Sequence, residues 1–129
     1  MPIRSQGITL IAVLALAACG GEPPRPSDAE LGSQVWQHAE MGAAVRPYQD
    51  CLERTARETR PTTDLGLERI DAVLAACSAE ETALIAALER VWSSEKREEL
   101  DGRIRGIRIE ALRIVKDAPY VPPSVILSN

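Results

Sequence analysis

Aromatic side chains are scarce in this chain of 129 residues, which contains no phenylalanine, two tryptophans and two tyrosines. A core built without large aromatics is filled by alanine and leucine, a composition that suits helices whose backbones approach closely. No run of alternating apolar and polar residues is present, and the one Asp-Gly pair, Asp101-Gly102, lies within a helical pattern. The sequence therefore predicts an all-α fold, a small helical bundle or hairpin.

Groups suited to catalysis are also few. His38 is the only imidazole, and the chain has neither a Gly-x-Ser-x-Gly elbow nor a glycine-rich phosphate loop. Many carboxylates stand beside arginine, as in Glu53-Arg54 and Glu89-Arg90, which is typical of solvated helix faces. We therefore expect no enzyme, no catalytic residue and no cofactor. The alternatives are a glycan hydrolase using two carboxylates and, ahead of it, a small-ligand site between the helices near Trp36 or Trp92.

Positive charge is in deficit, with 15 basic against 19 acidic residues and a net charge of −4. This balance argues against nucleic acid as a partner and against an electrostatic grip on anionic lipid. The last predicted helix is nevertheless locally basic: its cations are Arg103, Arg105, Arg108, Arg113 and Lys116. Cations near a helix C-terminus interact favourably with the helix macrodipole, so a structural role is expected for them. The alternative is that they bind an anionic partner such as lipid headgroups. Gly102 and Gly106 form a small-xxx-small pair that predicts one close helix crossing rather than a dimer.

The chain begins with a secretory signal. Arg4 supplies a positive charge, and Ile8 to Ala18 is an apolar run of 11 residues interrupted only by Thr9. This run is too short to span a bilayer as a helix, which takes about 20 residues. Residues 1–18 are therefore predicted to be removed on export, which takes away one basic residue and changes the net charge to −5.

The end of this signal resembles the lipobox of bacterial lipoproteins, since Leu16-Ala17-Ala18 stands directly before Cys19. The resemblance implies cleavage before Cys19, a diacylglyceryl group on its thiol and an acylated amine, so that the membrane is reached through this lipid anchor. Gly20 follows the cysteine, and by the same resemblance the outer membrane, facing the periplasm, is the destination. The alternative is ordinary secretion with cleavage after Ala17, because Ala15-Leu16-Ala17 fits an A-x-A site.

The predicted states of the three cysteines follow from this assignment. With Cys19 lipidated, Cys51 and Cys77 remain as one pair in an oxidising compartment, where a disulfide is expected. Closing this loop is expected to stabilise the fold by roughly 3.5 kcal/mol. Two cysteines and the distant His38 are too few ligands for a closed zinc site, so no metal is expected.

Residues 19–27 read as a lipidated cysteine followed by a proline- and glycine-rich tether, and residues 28–118 as the helical domain. Pro47 predicts a break between helices of about 28–43 and 46–60, or a kink there. Asp64 is predicted to cap the next helix, and Ser78 to Glu81 has capping-box spacing for another. That last helix is predicted either to run unbroken from 79 to 117 or to bend near Ser93-Ser94. Residues 119–129 form an apolar, proline-containing tail.

A second and looser resemblance covers residues 45–90. It is carried by Tyr48-x-x-Cys51 and by Ala72-x-x-x-Ala76-Cys77 with Glu80-Glu81 and Leu84 after it. The pattern is similar to that of small uncharacterised envelope proteins of proteobacteria, and it implies the helical fold and the disulfide but no activity. We thus expect a non-enzymatic, membrane-anchored lipoprotein that acts as a structural or protein-interaction module, with an envelope protein as partner.

Overall fold

The computed structural model describes residues 24–124. Its elements are α1 (Asp28–Gln37), a 3-10 turn (Ala39–Met41), α2 (Gly42–Glu58), α3 (Leu67–Ala76), α4 (Ser78–Val91) and α5 (Arg97–Asp117). No strand occurs in this part of the chain, so the prediction of an all-α fold is confirmed. The predicted signal segment and the end of the predicted tail lie outside the described residues.

The first helix begins directly after the predicted tether, at an N-cap on Ser27. The Ser27 hydroxyl accepts a hydrogen bond from the Glu30 backbone N–H, and the Glu30 carboxylate accepts one from the Ser27 N–H. These two bonds form a capping box and satisfy backbone donors that a helix start leaves open. α1 is therefore fixed at its N-terminal end by its own sequence.

The predicted break near Pro47 is wrong. The chain breaks at His38, whose Nδ1 accepts a hydrogen bond from the Glu40 N–H and starts the 3-10 turn. Pro47 lies inside α2 as its sixth residue. Its missing N–H deprives the Ala43 carbonyl of a partner, and because Ala43 is exposed, water can replace that bond.

One later boundary differs from the sequence expectation, and at another the expected cap is missing. α3 starts at Leu67, after Gly66 adopts the left-handed conformation with φ of 64°, and not at a cap on Asp64. α4 starts at Ser78 as predicted, but no side chain caps it. The segment from 79 to 117 is not one helix, because residues 92–96 separate α4 from α5, and the predicted bend near Ser93-Ser94 is confirmed.

The helices run back and forth along one another. α3 and α4 follow α2 in the opposite direction, because Arg69 reaches the end of α2 while Tyr48 contacts Glu81 of α4. α5 returns along both, since Arg108 pairs with Glu81 and Arg69 also reaches the end of α5. α1 crosses α5 on the remaining side.

The core is aliphatic, as the composition predicts. Within the described residues, Tyr48 is the only fully buried aromatic side chain of the core. Trp36 and Trp92 pack against the core from partly exposed positions. The largest other fully buried side chains are Met41, Leu52, Leu84, Leu88, Ile107, Val35, Val73 and Val115. Burying each such aliphatic side chain stabilises the fold by about 1.5–3 kcal/mol, so these residues supply most of the driving force.

The close crossing predicted from Gly102 and Gly106 is confirmed within one chain. A Cβ built on Gly106 would lie 2.6 Å from the Cα of Gly32, and one built on Gly32 would lie 2.7 Å from the Cα of Gly106. No real Cβ tolerates such a distance, so the backbones of α1 and α5 meet directly at this point. Gly32, the partner of this crossing, was not foreseen from the sequence.

Candidate functional site

The predicted disulfide is present. Cys51, in the middle of α2, and Cys77, at the junction of α3 and α4, have Cα atoms 5.9 Å apart and their sulfurs are bonded. Both residues are buried, and the Thr55 hydroxyl lies 3.8 Å from one sulfur and 3.7 Å from the other. Burial keeps external thiols away, which is typical of a structural disulfide. Cys19, the predicted lipidation site, lies outside the described residues.

The basic end of α5 is neutralised by carboxylates of the same domain. Four of its five cations make ion pairs: Arg103 with Glu95, Arg105 with Asp28, Arg108 with Glu81, and Arg113 with Glu110 and Asp117. An arginine paired in this way offers less charge to an external anion. The arrangement favours the structural interpretation of this basic stretch over the anionic-partner alternative.

Arg103 is the buried charge of the domain, with a side chain only 7% exposed. Its Nε and Nη2 donate to the two carboxylate oxygens of Glu95 at 2.9 and 2.6 Å, and its Nη1 donates to the Gln34 side chain at 3.0 Å. These bonds from Arg103 lower the pKa of the Glu95 carboxyl. The paired geometry stabilises the charged form of both groups and ties the loop before α5 to α1.

The neighbourhood of Trp92 is filled by the chain itself. The Arg103 guanidinium carbon lies 4.2 Å from the ring centroid of Trp92, and the His38 ring meets the same indole edge-on at 4.9 Å. Trp36, the other proposed ligand contact, donates from Nε1 to the Gln49 side chain at 3.2 Å. Within the described residues, the contacts of both tryptophans are those of a packed core edge.

Arg69 has a role that the sequence did not suggest. Its guanidinium donates to four backbone carbonyls: Thr59 at 3.0 Å, Ala56 at 2.7 Å, Val115 at 3.1 Å, and Ala118. These carbonyls belong to the C-terminal ends of α2 and α5, where helix dipoles place negative charge. One cation therefore closes the ends of two helices. No local sequence signal marks it, because its partners are up to 49 positions away.

Tyr48 and Glu81 form a second polar contact against the core. The Tyr48 hydroxyl donates to a Glu81 carboxylate oxygen at 3.3 Å, and Glu81 also receives Arg108 at 3.3 Å. Burial, followed by the Glu81 charge, raises the pKa of the Tyr48 phenol. The phenol therefore keeps its proton and serves as a hydrogen-bond donor between α2 and α4.

An open groove runs between α2 and α4 and encloses about 430 Å³. Its walls are small apolar side chains with charges at the margins: Ala43, Ala44, Pro47, Ala79, Ala83 and Ala87, with Glu40, Glu80 and Arg90. Glu80 Oε2 is buried and has no hydrogen-bond partner, the one such side-chain atom in residues 24–124. We call this feature the alanine groove.

A second cavity of about 370 Å³ lies where the tether meets α1 and α5. Ion pairs of the domain border it, namely Arg25 with Glu98, Arg105 with Asp28 and Arg103 with Glu95. Its charges of both signs are thus largely matched to one another, and its floor includes Gly102 at the α1–α5 crossing.

Between residues 24 and 124, no helix is long and apolar enough to cross a bilayer. The same residues contain no group of three or more His, Cys, Asp or Glu side chains placed to hold a metal ion. Searches among protein families, curated proteins and solved structures find nothing that matches this chain.

Proposed function

We propose that this chain is a membrane-anchored envelope lipoprotein whose helical domain acts as a non-enzymatic protein-interaction module. The observation that supports the proposal best is the Cys51–Cys77 disulfide. A buried disulfide fits an oxidising compartment outside the cytoplasm. It also leaves Cys19 as the odd cysteine, at the position where the lipobox resemblance requires an acylated thiol.

The start of the domain agrees with an anchor upstream. The capping box at Ser27 begins α1 directly after the proline-rich segment, so the folded part starts eight residues beyond Cys19. A tether of this length extends at about 3.1 Å per residue in the polyproline conformation and reaches about 25 Å. The domain would then sit close to the membrane surface. Gly20 favours the outer membrane, with the domain facing the periplasm.

The reactive side chains of the domain are engaged in contacts within the fold, which favours interaction over catalysis. His38 accepts a backbone hydrogen bond at the 3-10 turn and packs against Trp92. Arg103 and Glu95 bond to each other, and the Tyr48 phenol bonds to Glu81. Groups engaged in this way hold the fold together, while the alanine groove remains open as a surface for another polypeptide.

The anchor is tested by substituting Cys19 with alanine in the full-length chain expressed in a bacterium. We expect the wild-type protein to fractionate with membranes and to carry acyl chains on its N-terminal peptide by mass spectrometry. The Cys19→Ala protein should lack both acyl chains and processing before residue 19. As a control, the double variant Cys51→Ala/Cys77→Ala keeps the lipobox and should remain acylated. An unprocessed wild-type chain without lipid would contradict the proposal.

A further inference from the structure

We infer that the alanine groove is a self-association surface, in which α4 of a second copy of this chain packs antiparallel to α4 of the first. Five residues of α4 line the groove: Ala79 at its start, and then Glu80, Ala83, Ala87 and Arg90, which form one stripe. The residues of the stripe succeed one another at spacings of three, four and three, the pattern of a helix that packs along a partner helix. This inference does not depend on the lipid anchor.

The charges of the stripe are complementary to themselves under a two-fold axis. In an antiparallel pair related by such an axis, each contact occurs twice, once in each direction. An axis at the level of Ile85 places Glu80 opposite Arg90 of the second copy and Ala83 opposite Ala87. At each end of the stripe a carboxylate of one copy then faces a guanidinium of the other, whereas a parallel pair would place Glu80 against Glu80. The sequence of α4 thus selects the antiparallel arrangement.

The walls of the groove permit a close approach. Ala83 is exposed and Ala87 lies at the bottom of the groove, so an incoming helix meets methyl groups in place of long side chains. The opposite wall, which α2 forms, also lacks long side chains, because it consists of Ala43, Ala44 and Pro47. Small side chains let helix axes come to the short end of the usual range of about 8–10 Å.

Glu80 supplies an independent reason for an occupant. Its Oε2 is shielded from solvent and receives no hydrogen bond from the described residues. Neither Glu80 nor Arg90 makes an ion pair within residues 24–124, whereas five arginines of α5 do. The Glu80 side chain as a whole is partly exposed, so Arg90 of the second copy would pair with its carboxylate from the open side of the groove. Glu40 also lines the groove. Because α2 runs antiparallel to α4, Glu40 lies toward Arg90 of its own copy. It adds a second carboxylate there, beside Glu80 of the second copy.

Charge reversal at the two ends of the stripe tests the inference. The full-length chain is purified in detergent, and its association is followed by sedimentation over a range of concentrations. We expect the wild type to dimerise reversibly, and Glu80→Arg or Arg90→Glu to raise the dissociation constant at least ~10-fold by placing like charges together. The double variant Glu80→Arg/Arg90→Glu restores opposite charges and should recover dimerisation. Glu89→Arg makes the same charge change on α4 outside the groove and should leave it intact.

A steric pair of variants gives a second, uncharged test. Ala83→Gln fills the centre of the groove and should abolish the dimer, while Ala86→Gln, at an exposed position of α4 outside the groove, should not. All variants share the same lipid and detergent, so micelle effects are common to them, and circular dichroism verifies that each is folded. The inference is overturned if the wild type stays monomeric, or if Glu80→Arg or Ala83→Gln dimerises as the wild type does. Failure of the double reversal to recover association would overturn it as well.

Discussion

Substitution of Gly106 by alanine should separate α1 from α5. The new Cβ would lie 2.6 Å from the Cα of Gly32, whereas carbon atoms in contact are normally about 3.5–4.0 Å apart. The obstructing atoms belong to the backbone of α1, which cannot rotate away as a side chain would. α1 must therefore move by about 1 Å, which disturbs the packing of Val35, a fully buried residue of α1.

The size of the effect follows from three contributions. Overpacking costs about 1–3 kcal/mol, and partial exposure of Val35 adds about 1 kcal/mol. The better helix propensity of alanine returns about 1 kcal/mol. We expect a net destabilisation of about 1–3 kcal/mol for Gly106→Ala, and a similar loss for Gly32→Ala. The double variant should lose less than the sum, because one displacement of α1 relieves both contacts.

Gly42→Ala is the matched control for this experiment. Gly42 has helical backbone angles, and a Cβ built on it meets nothing within 4 Å. The same Gly-to-Ala change is therefore expected to be neutral or to stabilise by up to about 1 kcal/mol. Urea unfolding of the oxidised protein, followed by circular dichroism, measures the free energies of unfolding. A Gly106→Ala protein as stable as Gly42→Ala would refute the close crossing.

Three further outcomes are expected from the same unfolding measurement. Removal of the disulfide by Cys51→Ala/Cys77→Ala should cost roughly 3.5 kcal/mol, and an unchanged midpoint under non-reducing conditions would contradict its structural role. Arg69→Met should cost about 3–5 kcal/mol, since it removes four hydrogen bonds from one cation; a loss below 1 kcal/mol would show that water replaces them. Because Arg103 lowers the pKa of Glu95 in the folded state, ionised Glu95 stabilises the fold when the pH is above the pKa of this group in the unfolded chain. This contribution is lost as the pH falls through the pKa in the folded state. Glu95→Gln should therefore be less stable than the wild type at pH 7, and the difference should shrink as the pH falls below the ordinary glutamate pKa toward the lowered pKa of the folded state; a constant difference would argue against the ion pair.

The parts of the fold that depend on local periodicity could be predicted from the sequence. Leu84, Leu88, Ile107 and Val115 recur at helical spacing and are all fully buried. Such a stripe marks the inner face of a helix whatever its partner is. The Cys51–Cys77 pair was predictable as well, because the count of cysteines left only one pairing once Cys19 was assigned to a lipid.

The parts that depend on distant partners could not be predicted. Pro47 looked like a helix break, yet His38 ends α1 because its ring caps the next turn and packs on Trp92. The importance of Gly32 arises only when α1 meets Gly106, more than seventy positions away. Arg69 likewise has carbonyl partners that the fold brings to it. The charges that border the alanine groove read as an ordinary solvated helix face until α2 is placed beside α4.

The position of α1 determines how the domain would respond to a pulling force. With the proposed anchor at Cys19, tension from the membrane enters at Ser27 and acts first on α1, whereas the Cys51–Cys77 disulfide joins helices that lie beyond it. α1 is held by noncovalent contacts such as the Asp28–Arg105 ion pair and the crossing at Gly32. Detachment of its 10 residues would lengthen the tether by about 33 Å of extended chain. The domain would thus gain reach under load while its disulfide-linked helices stay folded.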